Sequence, residues 1–249
     1  MLIATDKLGR LSFIGGGGID LADGIPASNA NFGHIAEITT APNGDIVIVD
    51  SDTRRVRLIE MASRSVRTIA GRIHEGTSYD GEGGPAVSAA FVQPGAVAIS
   101  PHGELYIADG RRICKVTASG IIKTVSGGGD QGVPAQVSIV DARYGSISSL
   151  AFGPDGRLYV ADYSNHMVVA LDFAQNLVIH VIGSPDNGVN SGEGGPANEA
   201  TVEAPASLAF DAAGNLYILA GSTVPSGFND RFSAALVVRV IKALEEPRN

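Results

Sequence analysis

The chain has 249 residues, 44% of them hydrophobic and 18% charged, with 32 glycines, 12 prolines and no tryptophan, a globular composition with heavy turn punctuation. Its formal charge of −8 argues against non-specific attraction to nucleic acid or to an anionic membrane surface. The single cysteine, Cys114, excludes an intramolecular disulfide and a cysteine-based metal site, and its expected role is that of a small buried hydrophobe.

Residues 1–15, MLIATDKLGRLSFIG, carry charge close to the start and no apolar run of signal-peptide length, and no later run approaches transmembrane length. As written, the chain is expected to be soluble and cytoplasmic by default, and extracytoplasmic if it is a fragment of a longer exported protein. The same segment can be laid over Val56–Ala70, VRLIEMASRSVRTIA, so the chain is expected to open on the third strand of a repeat. Leu11–Ile14 is then the expected closing strand of the last repeat. Gly15-Gly16-Gly17-Gly18 follows a strand but opens no helix, and reads as a flexible connection rather than a phosphate loop.

That connection ends in DGIPASNANF at Asp23–Phe32, which matches DGEGGPAVSAAF at Asp80–Phe91 and GEGGPANEATV at Gly192–Val202. GVPAQVSIVDARY at Gly132–Tyr144 is a divergent fourth copy. Each copy leads into an apolar run and a tight turn: Ala41-Pro42-Asn43-Gly44, Ser100-Pro101-His102-Gly103, Gly153-Pro154-Asp155-Gly156 and Asp211-Ala212-Ala213-Gly214. Proline presets the first turn dihedral and glycine takes the left-handed position, as in hairpins.

The strands that follow, Ile46–Val49, Leu105–Ala108, Leu158–Ala161 and Leu216–Leu219, show no polar alternation, so both faces must be buried. That excludes a simple two-sheet sandwich and favours small sheets packed radially, each covered on both sides: a β-propeller. Asp50, Asp109 and Asp162 close three of these strands more than fifty residues apart, and Ala220 takes the fourth place. Each blade is expected to run inner strand, turn, central strand, polar loop, third strand (Val56–Ile59), turn and an alternating outer strand (Val66–Ile69). The expected boundaries are about 32–71, 91–127, 144–183 and 202–242, in a single domain over residues 1–249 with the closing strand from 1–15. Blade four is irregular: Ser222–Ala234 inserts a polar segment before Leu236–Val240, and no outer strand follows.

The combined pattern is DGxGGPA, a PxGVA-like start, GxLYxAD, an Asn-His or Arg-Arg pair before the third strand, then xxTVxG. It resembles the NHL-repeat family of β-propellers, as found in bacterial NHL proteins and teneurin-like domains, most closely at Ala161-Asp162-Tyr163-Ser164-Asn165-His166. The resemblance recurs four times over nearly the whole chain. It implies an all-β fold, a β-propeller of NHL type with about four blades of four antiparallel strands, or part of a larger six-bladed ring. Departures exist: Asp109-Gly110-Arg111-Arg112 lacks two loop residues and the Asn, Thr53-Arg54 replaces Asn-His in the first copy, and the fourth lacks the Asp. The family spans ligase-associated, cell-surface and sensor modules as well as lyases, so it does not fix a function.

Asp50, Asp109 and Asp162 invite reading as a ring of carboxylates, but their recurrence favours a structural role, each binding the amides of the loop it begins. Asn165 and His166 are expected to brace a loop in the same way. His34 and Glu37 stand where regular repeats carry Gln93 and Ala96, at the entrance to an inner strand, and residues that break a repeat are functional candidates. On a regular strand they point to opposite faces unless a bulge intervenes, which favours bracing over catalysis. His74, His102 and His180 fall on a connection, a turn and an outer strand and cannot converge on one metal. The DGEGGPA loop has too few alternating oxygen ligands for calcium. Arg54, Arg55, Arg57, Arg64, Arg67 and Arg72 crowd blade one and are expected on a solvated outer surface.

The expected function is a non-catalytic repeat scaffold that binds a protein or small acidic ligand through its loop-rich face. The candidate binding residues are Arg54, Arg55, Arg111, Arg112, His166, His34 and Glu37, with no catalytic or metal-binding residue and no cofactor. Nucleic acid and membrane are not expected as partners. The alternative is a metal-assisted lyase or hydrolase with its site in the central channel; a non-enzyme is preferred.

Overall fold

The computed structural model describes residues 2–128, 137–186, 188–221 and 237–241. It is all-β, four antiparallel sheets in a β-propeller arrangement, preceded by a hairpin. The hairpin pairs β1 (Leu2–Thr5) with β2 (Leu11–Gly15). Blade one holds β4 (Ile35–Thr40), β5 (Ile46–Asp50), β6 (Arg55–Glu60) and β7 (Ser65–Ala70), with a short β3 (Ile25–Pro26) added beyond β7. Blade two holds β8 (Pro94–Ile99), β9 (Leu105–Asp109), β10 (Arg112–Val116) and β11 (Ile122–Ser126). Blade three holds β12 (Ile147–Phe152), β13 (Leu158–Asp162), β14 (Met167–Asp172) and β15 (Leu177–Gly183). Blade four holds β16 (Pro205–Phe210), β17 (Leu216–Ala220) and β18 (Val237–Ile241).

The unbroken apolar runs of the central strands do what their pattern demands. β9 is buried at every position, and β5 at every position but its first, as a run without polar alternation requires. The chain divides into two compact units, Met1–Asp109 with Cys114–Lys123, and Gly110–Ile113 with Thr124–Asn249. In the first, one cluster joins Val49, Val56, Ala86, Phe91, Ile107 and Cys114, and another joins Ile14, Ala27, Phe32, Ile48 and Ile59. In the second, Ala161, Val168 and Ile182 pack with Val202, Leu216 and Ile218. Cys114 is thus the small buried hydrophobe expected of it.

The likeness of residues 1–15 to the end of a blade is realised as a hairpin: β1 and β2 pair as β6 and β7 do, each with a bulge at its first residues. Leu11–Ile14, expected to close blade four, pairs with β1, and β18 pairs with β17. The Ser222–Ala234 insertion lies outside the described residues. The four-glycine stretch is held rather than flexible. Gly16 N–H donates to Ala27 O at 2.8 Å and Gly18 N–H to Ala30 O at 3.3 Å, and a Cβ on Gly18 would overlap the backbone of Asn29.

The connections into blades one, two and three each pass the outer edge of the blade they are about to enter. Ile25–Pro26 pairs with β7, Pro85 bridges Ile121, and Ser138 bridges Leu177. A one-turn 3-10 segment then follows, Ala27–Asn29, Ala86–Ser88, Ile139–Asp141 and Ala197–Glu199, each closed by an alanine. In the divergent copy Ser138-Ile139 occupies the Pro-Ala position. Arg143 therefore stands where the regular copies carry Asn31, Ala90 and Thr201, and Tyr144 where they carry Phe32, Phe91 and Val202.

Candidate functional site

Every inner strand carries a bulge near its start, at Ile35/Glu37, Pro94/Ala96, Ile147/Ser149 and Pro205/Ser207. A bulge re-aims the side chain that follows it, and here it turns that side chain toward the neighbouring inner strand. Val97 N–H donates to Glu37 Oε2 at 2.7 Å, and Leu208 N–H donates to Ser149 Oγ at 3.2 Å. Glu37 therefore clamps one blade to the next. His34 is likewise engaged: its N–H donates to Asp52 Oδ2 at 2.8 Å and its Nδ1 lies 3.0 Å from Ser51 Oγ.

The repeated aspartates stitch loops together. Gln93 N–H donates to Asp109 Oδ1 at 2.6 Å, and Thr53 N–H to Asp50 Oδ1 at 3.2 Å. Asp162 accepts from Gly145 N–H and Ser146 N–H at the start of the inner strand (3.0 and 3.2 Å), and from Asn165 N–H and Nδ2 (3.3 and 2.7 Å). Burial pushes its carboxyl above the ordinary carboxylate value, and these four donors oppose the rise.

Arg54, Arg111 and His166 occupy one repeat position, the last loop residue before the third strand, and each reaches the connection that follows. Arg54 Nη1 donates to Gly76 O, and His166 Nδ1 accepts from Ala204 N–H at 3.0 Å. Arg54 and His166 both take the left-handed conformation, at φ 55° and 52°. His166 braces the loop, as expected of this loop position.

Blade one corrects the expectation of a solvated surface for Arg55 and Arg57, while Arg64, Arg67 and Arg72 are exposed. Arg55 is buried, with Nε on Thr53 Oγ1 at 3.1 Å and Nη1 on Leu21 O at 2.9 Å. Arg57 is wholly buried beneath the connection. Its Nη1 donates to Asn31 O, and its Nη2 to Ala22 O at 2.7 Å and Asp23 Oδ1 at 3.1 Å. Its guanidinium lies 5.7 Å from the centre of the Phe32 ring. Alternation along an outer blade position resembles solvent exposure; here the connection covers it and supplies carbonyl acceptors instead.

Burial pushes the Asp23 carboxyl up, but hydrogen bonds from Thr68 and Arg57 outweigh this and hold it below its usual value. A depressed folded-state value contributes stability above the unfolded pKa of about 4, and that stability is lost as pH falls through the folded value. Asp23→Asn should therefore lose less urea resistance than the parent between about pH 5 and pH 3. Parallel losses across that window would contradict this assignment.

A concave site lies on the loops of the second unit. Arg111, Arg143, Tyr144, Gly145, Ser164 and Asn165 line a cleft of about 350 Å³, a volume at the small end of ligand pockets. Arg111 is pinned by Nε donating to Gly145 O at 3.1 Å. Arg143 is exposed, and no hydrogen bond or ion pair joins it to the described residues. Tyr144 forms the buried wall, its hydroxyl 2.8 Å from Ser126 Oγ, which in turn donates to Ile139 O at 2.7 Å. Burial pushes its phenol far up, so it stays neutral.

Of the sequence candidates, only Arg111 lines this cleft. Arg112, at the start of β10, is half-buried, and Arg54, Arg55, His34 and Glu37 belong to the other unit, each with bonds of its own there. Arg143 is not among the sequence candidates, although the match of Tyr144 to Phe32, Phe91 and Val202 sets it against Asn31, Ala90 and Thr201. Among the described residues, no three His, Cys, Asp or Glu side chains gather into a group able to hold a metal, and no helix is long and apolar enough to cross a membrane.

The architecture and its repeat chemistry define a bladed repeat scaffold. The Teneurin NHL domain family matches residues 74–138. Mouse Teneurin-3 is 28% identical over 213 residues, covering 76% of this chain and 8% of that protein. Teneurin-m of Drosophila melanogaster is 26% identical over 166 residues, 62% of this chain and 6% of the relative. These matches support an NHL-repeat family for the chain, which spans under a tenth of those relatives' length. Among solved structures, a streptogramin B lyase superposes with a TM-score of 0.53 at 12% identity, covering 98% of this chain and 62% of the other. Virginiamycin B lyase from Staphylococcus aureus gives 0.50 at 10% identity, covering 98% and 63%. At such identity the likeness is one of fold.

Proposed function

We propose that this chain is a non-catalytic NHL scaffold that binds a protein or small-molecule partner through its loop face, at the cleft between the blade-two and blade-three loops. The observation that carries the reading is the division of labour among the polar repeat residues. Asp109, Asp162, His34, His166 and Glu37 are taken up by backbone groups of neighbouring strands and loops. The cleft residues Arg143 and Ser164, in contrast, hold no such structural bond among the described residues and face a concavity. Rigid blades presenting loops are where recognition ordinarily resides.

The metal-assisted lyase or hydrolase reading needs convergent ligands, and the described residues offer no such group. Selection of a random-peptide library on the intact chain, followed by hydrogen exchange with and without a selected peptide, tests the binding reading. Protection is expected at residues 110–112, 142–146 and 163–166. Protection confined to the inner strands, residues 35–40 or 147–152, would overturn it.

A further inference from the structure

We infer that the cleft is an oxyanion clamp, in which Arg111 and Arg143 together grip a carboxylate or phosphate group; this rests on the loop-face reading above and names its ligand chemistry. Three independent observations converge on it.

Arg143 breaks its repeat. At the same structural position the other copies carry Asn31, Ala90 and Thr201, none of them cationic. A cation placed there has no packing reason, since the neighbouring alanine and aromatic positions of the motif are kept as Ala142 and Tyr144 and both are buried.

Arg111 is aimed before any ligand arrives. It occupies the loop position of Arg54 and His166, and like them it spends one nitrogen on the following connection, Nε on Gly145 O at 3.1 Å. A guanidinium has five donor hydrogens in a planar fork, so one bond at Nε fixes the plane and leaves the Nη groups for a bidentate contact. Such pre-organisation lowers the ordering cost on binding.

The remaining lining adds neutral polar groups rather than competing charge. Ser164 offers a hydroxyl, and Asn165 keeps Oδ1 after Nδ2 is spent on Asp162. The Asp162 carboxylate is fully buried beneath the loop and occupied by four donors. It orients Gly145 and Asn165 and does not answer the two arginines. Two guanidiniums in a chain of net charge −8 therefore form a local basic concavity, suited to an acidic side chain, a terminal carboxylate or a phosphate ester.

The test is calorimetric titration of the intact chain with inorganic phosphate and, separately, with succinate, at low and high sodium chloride. Parent, Arg143→Ala, Arg111→Ala and, as control, the exposed blade-one variant Arg67→Ala are compared. Binding of at least one probe is expected, weakening with salt. It should fall about tenfold or more in each cleft variant and remain unchanged in the control. Phosphate and succinate arms separate the two oxyanion sources. Unchanged unfolding midpoints, expected for Arg143→Ala, show that any loss is not loss of fold. No binding of either probe to the parent, or equal binding by Arg143→Ala, would overturn the clamp. If peptides selected on the loop face still bind the doubly substituted chain, the clamp fails while the scaffold reading stands.

Discussion

Replacing Arg57 by Ala is expected to cost about 3–5 kcal/mol of folding stability, the range for removing one partner of a buried, hydrogen-bonded charge. The side chain is entirely buried, and its guanidinium is the donor for Asn31 O, Ala22 O and the Asp23 carboxylate. Truncation strips those carbonyls of their donor and leaves a cavity over the Phe32 ring. Asp23 is half exposed, so it can be rehydrated, which keeps the cost from rising further. Arg57→Lys should not restore the parent, because a single ammonium cannot serve carbonyls and a carboxylate held in a planar fork. Urea unfolding of the three proteins decides this; a change below about 0.5 kcal/mol for Arg57→Ala would show that the buried guanidinium is a tolerated passenger.

The second large effect is expected at Gly183, where β15 turns into the next connection. Its φ is 100°, and a Cβ there would overlap the His166 carbonyl and come within 2.6 Å of Met167 Cα. Gly71 and Gly127 repeat the arrangement at the same place in blades one and two, against Arg54 and Arg111. Gly183→Ala should cost about 2–4 kcal/mol, backbone strain plus overlap with main-chain atoms that cannot move aside. Gly156→Ala is the internal standard. It has φ 77° but nothing near its Cβ, so only the conformational part, about 1 kcal/mol, should appear. Equal unfolding midpoints for the two variants would contradict the claim that the blade-end glycines are contact-limited.

The blades were legible because their signals are local. A Pro-x-Gly turn beside an apolar run with no alternation states both the hairpin and the two-sided burial, and β5, β9 and β13 follow it, while β17, after a turn without proline, keeps the hairpin but alternates buried and half-buried positions. The role of Asp162 was legible for a related reason: a residue that recurs with its loop, as Asp50, Asp109 and Asp162 do, most often serves the loop. What escaped was tertiary. Arg55 and Arg57 alternate with apolar neighbours exactly as solvated residues would, and only the crossing of the connection at residues 20–31 over β6 supplies Leu21 O, Ala22 O and Asn31 O as partners. Glu37 needed the bulge at Ile35/Glu37, which no spacing rule places. Arg143 stands beside Tyr144 at the head of blade three, and no local signal distinguishes a cation that lines a cleft from one that is merely solvated.

The account rests on the claim that the polar residues of the repeats brace the scaffold while the Arg111–Arg143 cleft receives an oxyanion. The measurement that bears on it most directly is a residue-resolved 1H–15N titration of the chain with inorganic phosphate and with succinate. Shifts are predicted at the amides of Arg111, Arg143, Gly145, Ser164 and Asn165, with Ile35–Thr40 and the amides around His34 and Glu37 unmoved. Shifts centred on His34, Glu37 and the inner strands, with the cleft amides silent, would contradict it.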